Sequence, residues 1–496
     1  MKQKLTAVIL TCLVSLPLFS QPQQEEATAE SMFYDAAFWY VEEQDFQEAA
    51  YLYRQVLKLD PENANAKYLL GMCYLNIKGM EEEAIPLFLE ATKGINLKYK
   101  EAKFEMKQSP HHTWYYLADA YRKTNQLDKA MEALESFKDL IDFEKHYHIR
   151  LTEEFTEEVE RAKTIWDNEL KLQALYFDRP VNTTEDDYSA VISADRKMMV
   201  WVTSKAFYEA MYMSIYEEGE WSTPFEIGPQ IVSDGNLFPT GLSNDGSTML
   251  LVYRPEEGNS DIWYSQFDGS SWSPAQPVHG AINTTDNEEH ASFSPDGNRI
   301  YLTTDRKGGK GGLDIWYSDR QEDGQWGEPF NMGGTINTAE DETSGYIAPD
   351  GGRFIFASKG HFNMGGYDIF RSEKEIDGRW SETSNMGYPV NTTGDDTYFV
   401  PLSNGMSGLY SRFTTVGIGM TDLWYMEIGG EEGFVSGGMV LAIDTRQKIS
   451  RRPFAIIMVD EASGEEIEVL YDAETDTFKA YSDQNRTFKV VSYKEK

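Results

Sequence analysis

The sequence contains few cysteines, few histidines and few basic residues. Among 496 residues there are 2 cysteines, Cys12 and Cys73, and 7 histidines, so a disulfide framework and a four-thiolate zinc site are both excluded. The 45 Lys and Arg stand against 82 Asp and Glu, which gives a formal charge of −37. Such a surface repels phosphate backbones, so nucleic-acid binding is excluded as the main function. We expect partners with basic surfaces and association that weakens with salt.

Long apolar runs are also absent, except near the N-terminus. Lys2 and Lys4 precede an apolar run over residues 5–19, and a polar stretch follows it. A basic start, a short apolar run and a polar continuation are typical of an export signal. We therefore predict a signal peptide over residues 1–20, an exported mature chain and no membrane-spanning helix. Cys12 does not fit a lipidated cysteine, because apolar residues continue after it.

Residues 21–173 show the 3–4-residue spacing of apolar side chains that predicts amphipathic helices. Small residues recur where two helices would approach closely, and each is followed by an aromatic residue. The small residues are Ala37, Gly71 and Ala118, and the aromatic residues are Tyr40, Tyr74 and Tyr121. The first spacing is 34 residues and the second is 47, which indicates an insertion between the second and third units.

This pattern resembles the tetratricopeptide repeat, in which helix pairs stack into an α-solenoid. The resemblance implies a groove for a segment of a partner protein. Tyr40, Tyr74 and Tyr121 are therefore candidate partner-binding residues. The alternative is that they fill the core between helices.

From residue 174 the pattern changes to short strands separated by tight turns. Three markers repeat at roughly 50-residue intervals, as in proteins built from repeated blades. The tryptophans are Trp221, Trp272, Trp326 and Trp380, the aspartates are Asp261, Asp314, Asp368 and Asp422, and the Asn-Thr pairs begin at Asn182, Asn283, Asn337 and Asn391. Each unit is interpreted as a blade of four strands.

Counting strands gives a prediction about how the blades close. The last unit, residues 391–428, ends after its third strand, whereas the segment 175–184 resembles the end of a complete blade. We predict that a strand from this segment completes the last blade beside residues 423–427 and closes a β-propeller. The count gives five blades, with six as the alternative. The units, most clearly residues 294–316, resemble the WD40-like repeat of TolB proteins, which we assign to residues 174–428.

Residues 429–496 alternate short apolar runs with acidic turns, which predicts a small C-terminal β-sandwich. This tail resembles the carboxypeptidase regulatory-like domain, which is not catalytic. The order of these four parts resembles envelope proteins of the Bacteroidetes type, some of which serve type IX secretion. The resemblance implies a periplasmic protein associated with the inner face of the outer membrane. No OmpA-like segment follows in this sequence, so we do not expect peptidoglycan binding.

Acidic residues recur at the start of four predicted blades. They are Asp187, Glu288, Glu342 and Asp396. If the first strand of each blade lines the axis, these carboxylates lie near one mouth of the channel and could bind Ca²⁺ or a basic group of a partner. The alternative is that they cap turns within their own blades. We expect no other cofactor.

No catalytic arrangement stands out. The histidines show no metal-ligand spacing, no Gly-x-Ser-x-Gly elbow occurs, and the glycine-rich loop 308–312 precedes a predicted strand instead of a helix. We therefore predict a non-enzymatic scaffold that binds envelope or secretion-machinery proteins. The alternative is a propeller that acts on or binds glycans, as sialidase-like propellers do.

Overall fold

The computed structural model describes residues 28–100, 103–170, 172–177, 179–217, 220–413 and 417–428, and four strands after residue 454. The chain divides into two compact units, Met1–Thr113 and Trp114–Lys496. The predicted export signal at residues 1–20 lies outside the described residues, as does Cys12. No helix in the described part of the chain is long and apolar enough to cross a membrane.

The first unit consists of two helix pairs. The helices are α1 (Ala29–Val41), α2 (Phe46–Leu59), α3 (Ala64–Leu75) and α4 (Glu81–Thr92). Side chains cap the first three, since Thr28, Asp45 and Asn63 each accept a hydrogen bond from a first-turn amide. A small residue is required at Gly71, because a methyl group there would lie 2.7 Å from the Phe88 ring. The helix pairing expected from the sequence is confirmed.

The second unit begins with three further helices. They are α5 (Thr113–Lys123), α6 (Leu127–Lys138) and α7 (Ile149–Asp167), with a short 3₁₀ turn at Phe143–Lys145. Leu117 and Ala118 on α5 and Ala130 and Leu134 on α6 are fully buried or nearly so. These are positions where the sequence repeats its apolar and small residues, so the third helix pair is confirmed as well.

Five antiparallel sheets follow, each forming one blade of a propeller. Strand β1 (Leu172–Tyr176) comes first in the chain but belongs to the last blade. Blade 1 contains β2 (Asp187–Ile192), β3 (Met198–Ser204), β4 (Glu209–Glu217), β5 (Glu220–Trp221) and β6 (Phe225–Glu226), followed by the short helix α8 (Gly228–Ile231). Blade 2 contains β7 (Leu237–Leu242), β8 (Thr248–Tyr253), β9 (Asp261–Gln266) and β10 (Gln276–Pro277).

The remaining three blades repeat the same strand order. Blade 3 contains β11 (Glu288–Phe293), β12 (Arg299–Thr304), β13 (Asp314–Asp319) and β14 (Phe330–Asn331). Blade 4 contains β15 (Glu342–Ile347), β16 (Arg353–Ser358), β17 (Asp368–Glu373) and β18 (Ser384–Asn385). Blade 5 contains β19 (Val400–Leu402), β20 (Ser407–Phe413), β21 (Thr421–Ile428) and β1. The first strands β2, β7, β11, β15 and β19 contact one another in this order, and β19 contacts β2.

The ring is closed by strand β1. It pairs antiparallel with β21, with Leu172 opposite Ile428 and Tyr176 opposite Trp424. The predicted closure and the count of five blades are confirmed, and the alternative of six blades is wrong. The strand spans residues 172–176 and does not extend to residue 184, because Pro180 has no amide hydrogen to donate to a ladder.

An asparagine fastens the third strand of each of four blades. Its side-chain amide donates to a backbone carbonyl of that strand, and its side-chain oxygen accepts the amide hydrogen of the same residue. Asn283 binds Ile262, Asn337 binds Ile315, Asn391 binds Ile369, and Asn182 binds Leu423 across the ring closure. The repeated Asn-Thr pairs of the sequence are therefore structural contacts of the blades.

The tail forms a single described sheet in the order β24-β23-β22-β25. Its strands are β22 (Ala455–Asp460), β23 (Glu466–Asp472), β24 (Thr477–Phe478) and β25 (Phe488–Lys494). The remainder of residues 429–496 lies outside the described residues. The predicted β-sandwich and its likeness to a carboxypeptidase regulatory-like domain stay predictions.

Candidate interaction surfaces

The four predicted ion-binding carboxylates each close a turn of their own blade. Asp187, Glu288 and Glu342 are fully buried, and Asp396 is 5% exposed. Each accepts hydrogen bonds from the backbone amide and the hydroxyl group of the threonine four residues earlier, at 2.6–3.0 Å. A third donor is a hydroxyl group on the second strand of the blade. Burial raises the pKa of all four carboxyl groups, and that of Asp396 to about 6.

These contacts favour the capping alternative over an ion site. Each carboxylate is satisfied by donors of its own blade, as expected for residues that define a repeat. In the described part of the chain, no group of three or more His, Cys, Asp or Glu side chains is placed to hold a metal ion. Binding of Ca²⁺ at these positions stays a prediction.

The glycine-rich loop of blade 3 binds a carboxylate of the chain itself. The backbone amides of Lys310 and Gly311 donate to Asp314 at 2.5 and 3.1 Å. Consecutive backbone amides form a concavity that suits an anion. Here the anion is the first residue of the following strand, so this loop is a hairpin connection, as the sequence indicated.

Side chains from several blades close the axis of the propeller. His290 of blade 3 lies with its ring centroid 4.8 Å from that of Tyr346 in blade 4 and 5.8 Å from that of Tyr398, which precedes the first strand of blade 5. The Tyr346 hydroxyl donates to the Thr240 carbonyl of blade 2 at 2.9 Å. Arg254, also from blade 2, donates to the Tyr398 hydroxyl at 3.3 Å. The axis is therefore blocked by packed side chains.

The backbone around this closure is strained at equivalent positions. Ser189, Ser344 and Tyr398 each stand two residues after a capping carboxylate and have φ values of 51°, 52° and 57°. Residues other than glycine rarely adopt such values. In blades 1 and 4 the pairing of the first strand is interrupted at this point, as a β-bulge interrupts a ladder. The same kink therefore recurs in blades 1 and 4 and just before the first strand of blade 5.

Two titratable groups at the axis, Glu289 and His290, are not paired with each other as an acid and a base. Both oxygens of Glu289 are engaged, since Arg254 donates to one at 3.0 Å and Ser260 to the other at 2.9 Å. Burial lowers the pKa of His290 to about 3, and neither of its ring nitrogens has a hydrogen-bond partner among the described residues. On the opposite side of the closure, a cavity of about 60 Å³ lies between the five first strands, which is room for a few water molecules.

The three tyrosines predicted to bind a partner lie mostly inside the helix pairs. Tyr74 is 8% exposed and Tyr121 is 7% exposed. Tyr40 is half-buried and packs against Phe46, with ring centroids 5.3 Å apart. This placement favours the alternative that Tyr74 and Tyr121 fill the core between helices. Tyr40 keeps part of its side-chain surface exposed to solvent.

An exposed apolar surface lies instead on the first helix. Tyr34, Phe38 and Val41 are 40%, 50% and 64% exposed. Their spacing of four and three residues places them on one face of α1, which we call the α1 stripe. Sequence reasoning missed this surface, because aromatic residues on an amphipathic helix are usually assigned to the core.

Helices α5 and α7 are joined to the propeller through Arg122, in a contact that we call the arginine joint. Its guanidinium group donates to the Thr393 carbonyl at 2.6 Å, and the Thr393 hydroxyl donates to the Arg122 carbonyl at 2.9 Å. The same guanidinium group pairs with Asp119 at 2.8 Å and with Glu158 at 3.2 Å. The helices of the second unit therefore have a fixed position on blades 4 and 5.

Sequence comparisons identify the repeats of the helical region. Models of the family described as tetratricopeptide repeat match residues 40–93 and 112–140. The chain thus contains tetratricopeptide repeats followed by a five-bladed propeller. No curated protein matches the chain.

Solved structures with propellers show a distant likeness. TolB from Acinetobacter baumannii is 16% identical, with 53% of this chain and 65% of that chain covered and a TM-score of 0.34, so the match spans just under two thirds of that TolB chain. TolB from Agrobacterium tumefaciens is 17% identical, with 48% and 73% covered and a TM-score of 0.29. The catalytic domain of the Coprinopsis cinerea GH62 α-L-arabinofuranosidase is 9% identical, with 53% and 98% covered and a TM-score of 0.35.

Proposed function

We propose that this chain is a non-enzymatic scaffold that holds protein partners together. The observation that carries the proposal is the α1 stripe, in which three large apolar side chains are exposed together on a repeat helix. Contiguous exposed apolar surface in a soluble unit usually marks a site for another protein. Within the second unit, the arginine joint and the blocked axis support a rigid platform.

The proposed location is the periplasm, at the inner face of the outer membrane. The export pattern of residues 1–20 supports export, and the order of the sequence regions supports a place in an envelope assembly such as the type IX secretion apparatus. The formal charge of −37 supports partners with basic surfaces.

Affinity capture from envelope extracts at low salt tests the scaffold. We expect the wild-type chain to recover protein partners and Phe38→Glu to lose them, because a charge would be placed in the middle of the apolar stripe. Tyr51→Glu is the matched control, since Tyr51 is 48% exposed on α2. Recovery of no partner by the wild type, or equal recovery by both variants, contradicts the proposal.

A glycan-acting or glycan-binding propeller is the second candidate. The observation that favours it is the set of polar side chains at the axis, Arg254, Glu289 and Tyr398. The hydrogen bonds from Arg254 and Ser260 to both Glu289 oxygens argue against acid–base chemistry by this carboxylate. The test is hydrolysis of envelope glycans. If the wild-type chain hydrolyses them and the Glu289→Gln variant does not, the scaffold proposal is wrong and the glycan-acting propeller takes its place.

A further inference from the structure

The face of the first unit that carries the α1 stripe is partly covered by the chain itself. Residues 103–107, from the insertion between the second and third repeats, lie against α1. The Phe104 ring packs edge-on against Phe33, with centroids 5.7 Å apart, and the Phe104 amide lies 3.5 Å from the Tyr34 hydroxyl oxygen. Tyr34 is the first residue of the α1 stripe, so the cover ends where the exposed stripe begins.

The backbone of this segment is held by a buried asparagine on α3. The Asn65 amide donates to the Lys107 carbonyl at 3.2 Å, and the Asn65 side-chain amide lies 3.4 Å from the Lys103 carbonyl. The side-chain oxygen of Asn65 accepts the Tyr99 hydroxyl at 2.7 Å. The Met106 amide donates to the Lys103 carbonyl at 3.1 Å, so the segment forms a turn. Contacts to backbone carbonyls hold such a turn whatever its side chains, and neighbouring side-chain contacts then select its chemistry.

The side chains of the segment show what chemistry this face accepts. Lys107 pairs with Asp60 at 2.8 Å and lies 3.3 Å from the centroid of the Phe104 ring. The segment that covers this face therefore presents an aromatic ring with a lysine side chain beside it. The chain that binds this segment is strongly acidic. Directly after Val41, the last residue of the α1 stripe, the chain exposes the acidic residues Glu42 and Glu43.

We propose that residues 103–107 are a built-in competitor for a partner segment of the same chemistry. That segment forms a turn and carries an aromatic residue with one basic residue directly before it and another three positions after it, as residues 103–107 do. The proposal rests on the scaffold function and adds its partner class and its regulation. The partner binds along the α1 stripe and displaces residues 103–107 from α1 and α3. An internal competitor at high effective concentration lowers the apparent affinity for the partner.

A peptide copy of the competitor provides the test. The probe is a labelled peptide with the sequence of residues 103–109, and its binding to the full chain is followed by fluorescence anisotropy. We expect Phe104→Ala to bind it at least about tenfold more tightly than the wild type, because the internal competitor is weakened. Leu97→Ala, in the same insertion and 54% exposed, should bind as the wild type does.

A second variant separates competition from misfolding. Tyr99→Phe removes the hydrogen bond to Asn65 but keeps the ring, and it should tighten binding by a smaller factor, with an unchanged circular dichroism spectrum. If the peptide binds the wild type and both variants with equal affinity, or binds none of them, the proposal that residues 103–107 compete with a partner is wrong. Because no envelope partner is used, this test can fail while affinity capture succeeds, in which case the scaffold function stands without this regulation.

Discussion

Asn182 closes the ring through the same contact that Asn337 makes inside a single blade. Asn182 binds both backbone groups of Leu423, 241 residues further along the chain, at 3.0 and 2.8 Å. Asn337 binds both backbone groups of Ile315, 22 residues away, at 2.8 and 2.9 Å. Asn182 is fully buried and Asn337 is 1% exposed. Replacing either with alanine leaves one buried amide hydrogen without its side-chain acceptor, whereas each carbonyl still accepts a backbone amide, from Phe177 at Leu423 and from Met332 at Ile315.

The cost of each replacement follows from the backbone amide that loses its acceptor. A buried polar group without its hydrogen bond costs about 1–3 kcal/mol, so each variant should lose about 1–3 kcal/mol of unfolding free energy. The two variants differ in which part of the propeller opens. Asn182→Ala loosens the pairing of β1 with β21, which is the ring closure. Asn337→Ala loosens the contact within blade 3.

Urea unfolding and hydrogen exchange read by mass spectrometry measure both effects. We expect similar losses of stability in the two variants, with faster exchange in β1 and β21 only for Asn182→Ala. The same exchange pattern in both variants, or an Asn182→Ala variant as stable as the wild type, refutes the proposed role of Asn182 in the closure.

Three further predictions concern the joint, the buried acids and the ion site. Arg122→Ala should lower the free energy of unfolding by about 2 kcal/mol, which is less than the loss of a fully buried ion pair because Asp119 and Glu158 are partly exposed. Urea unfolding measures this loss, and hydrogen exchange near residues 391–394 should become faster. An unchanged exchange rate there contradicts the prediction. Burial raises the pKa of Asp396 and of Asp422 to about 6, above the value of the unfolded chain, so the folded chain binds protons that the unfolded chain releases. The free energy of unfolding should therefore rise as pH falls from about 7.5 to about 5, and Asp422→Asn should reduce this rise; a flat wild-type profile contradicts it. If the four carboxylates only cap turns, millimolar Ca²⁺ should leave the melting temperature unchanged, because they already have donors, whereas an increase would support the predicted ion site.

The strand markers were informative in the sequence because each has a local structural role. Asn337 fastens a strand of its own blade, and Glu342 caps a turn four residues from its threonine. Contacts this close in the chain must recur with the blade, so their period predicts the number of blades and the incomplete last one. That count also predicted closure by a segment ahead of the first blade, at residues 175–184, whereas the strand that closes the ring is Leu172–Tyr176.

The surfaces could not be predicted in the same way. Arg254, His290 and Tyr398 meet at the axis from blades 2, 3 and 5, and no repeat period links such different residue types. The α1 stripe has the composition of a helix core, and its exposure depends on where neighbouring segments end. The cover by residues 103–107 comes from an insertion, which by definition departs from the repeat.

An engineered disulfide between β1 and β21 tests the ring closure most directly. Ala174 lies opposite Met426 in the pairing register, within the reach of a disulfide between paired strands. Cys12→Ser removes the N-terminal thiol, and the native Cys73 is fully buried with a pKa raised to about 12 by burial. Ala174→Cys with Met426→Cys should form the bond under mild oxidation, whereas Ala174→Cys with Tyr425→Cys should not, because successive side chains point to opposite faces of a strand. Equal yields in the two pairs, or no bond in the first, would contradict the closure.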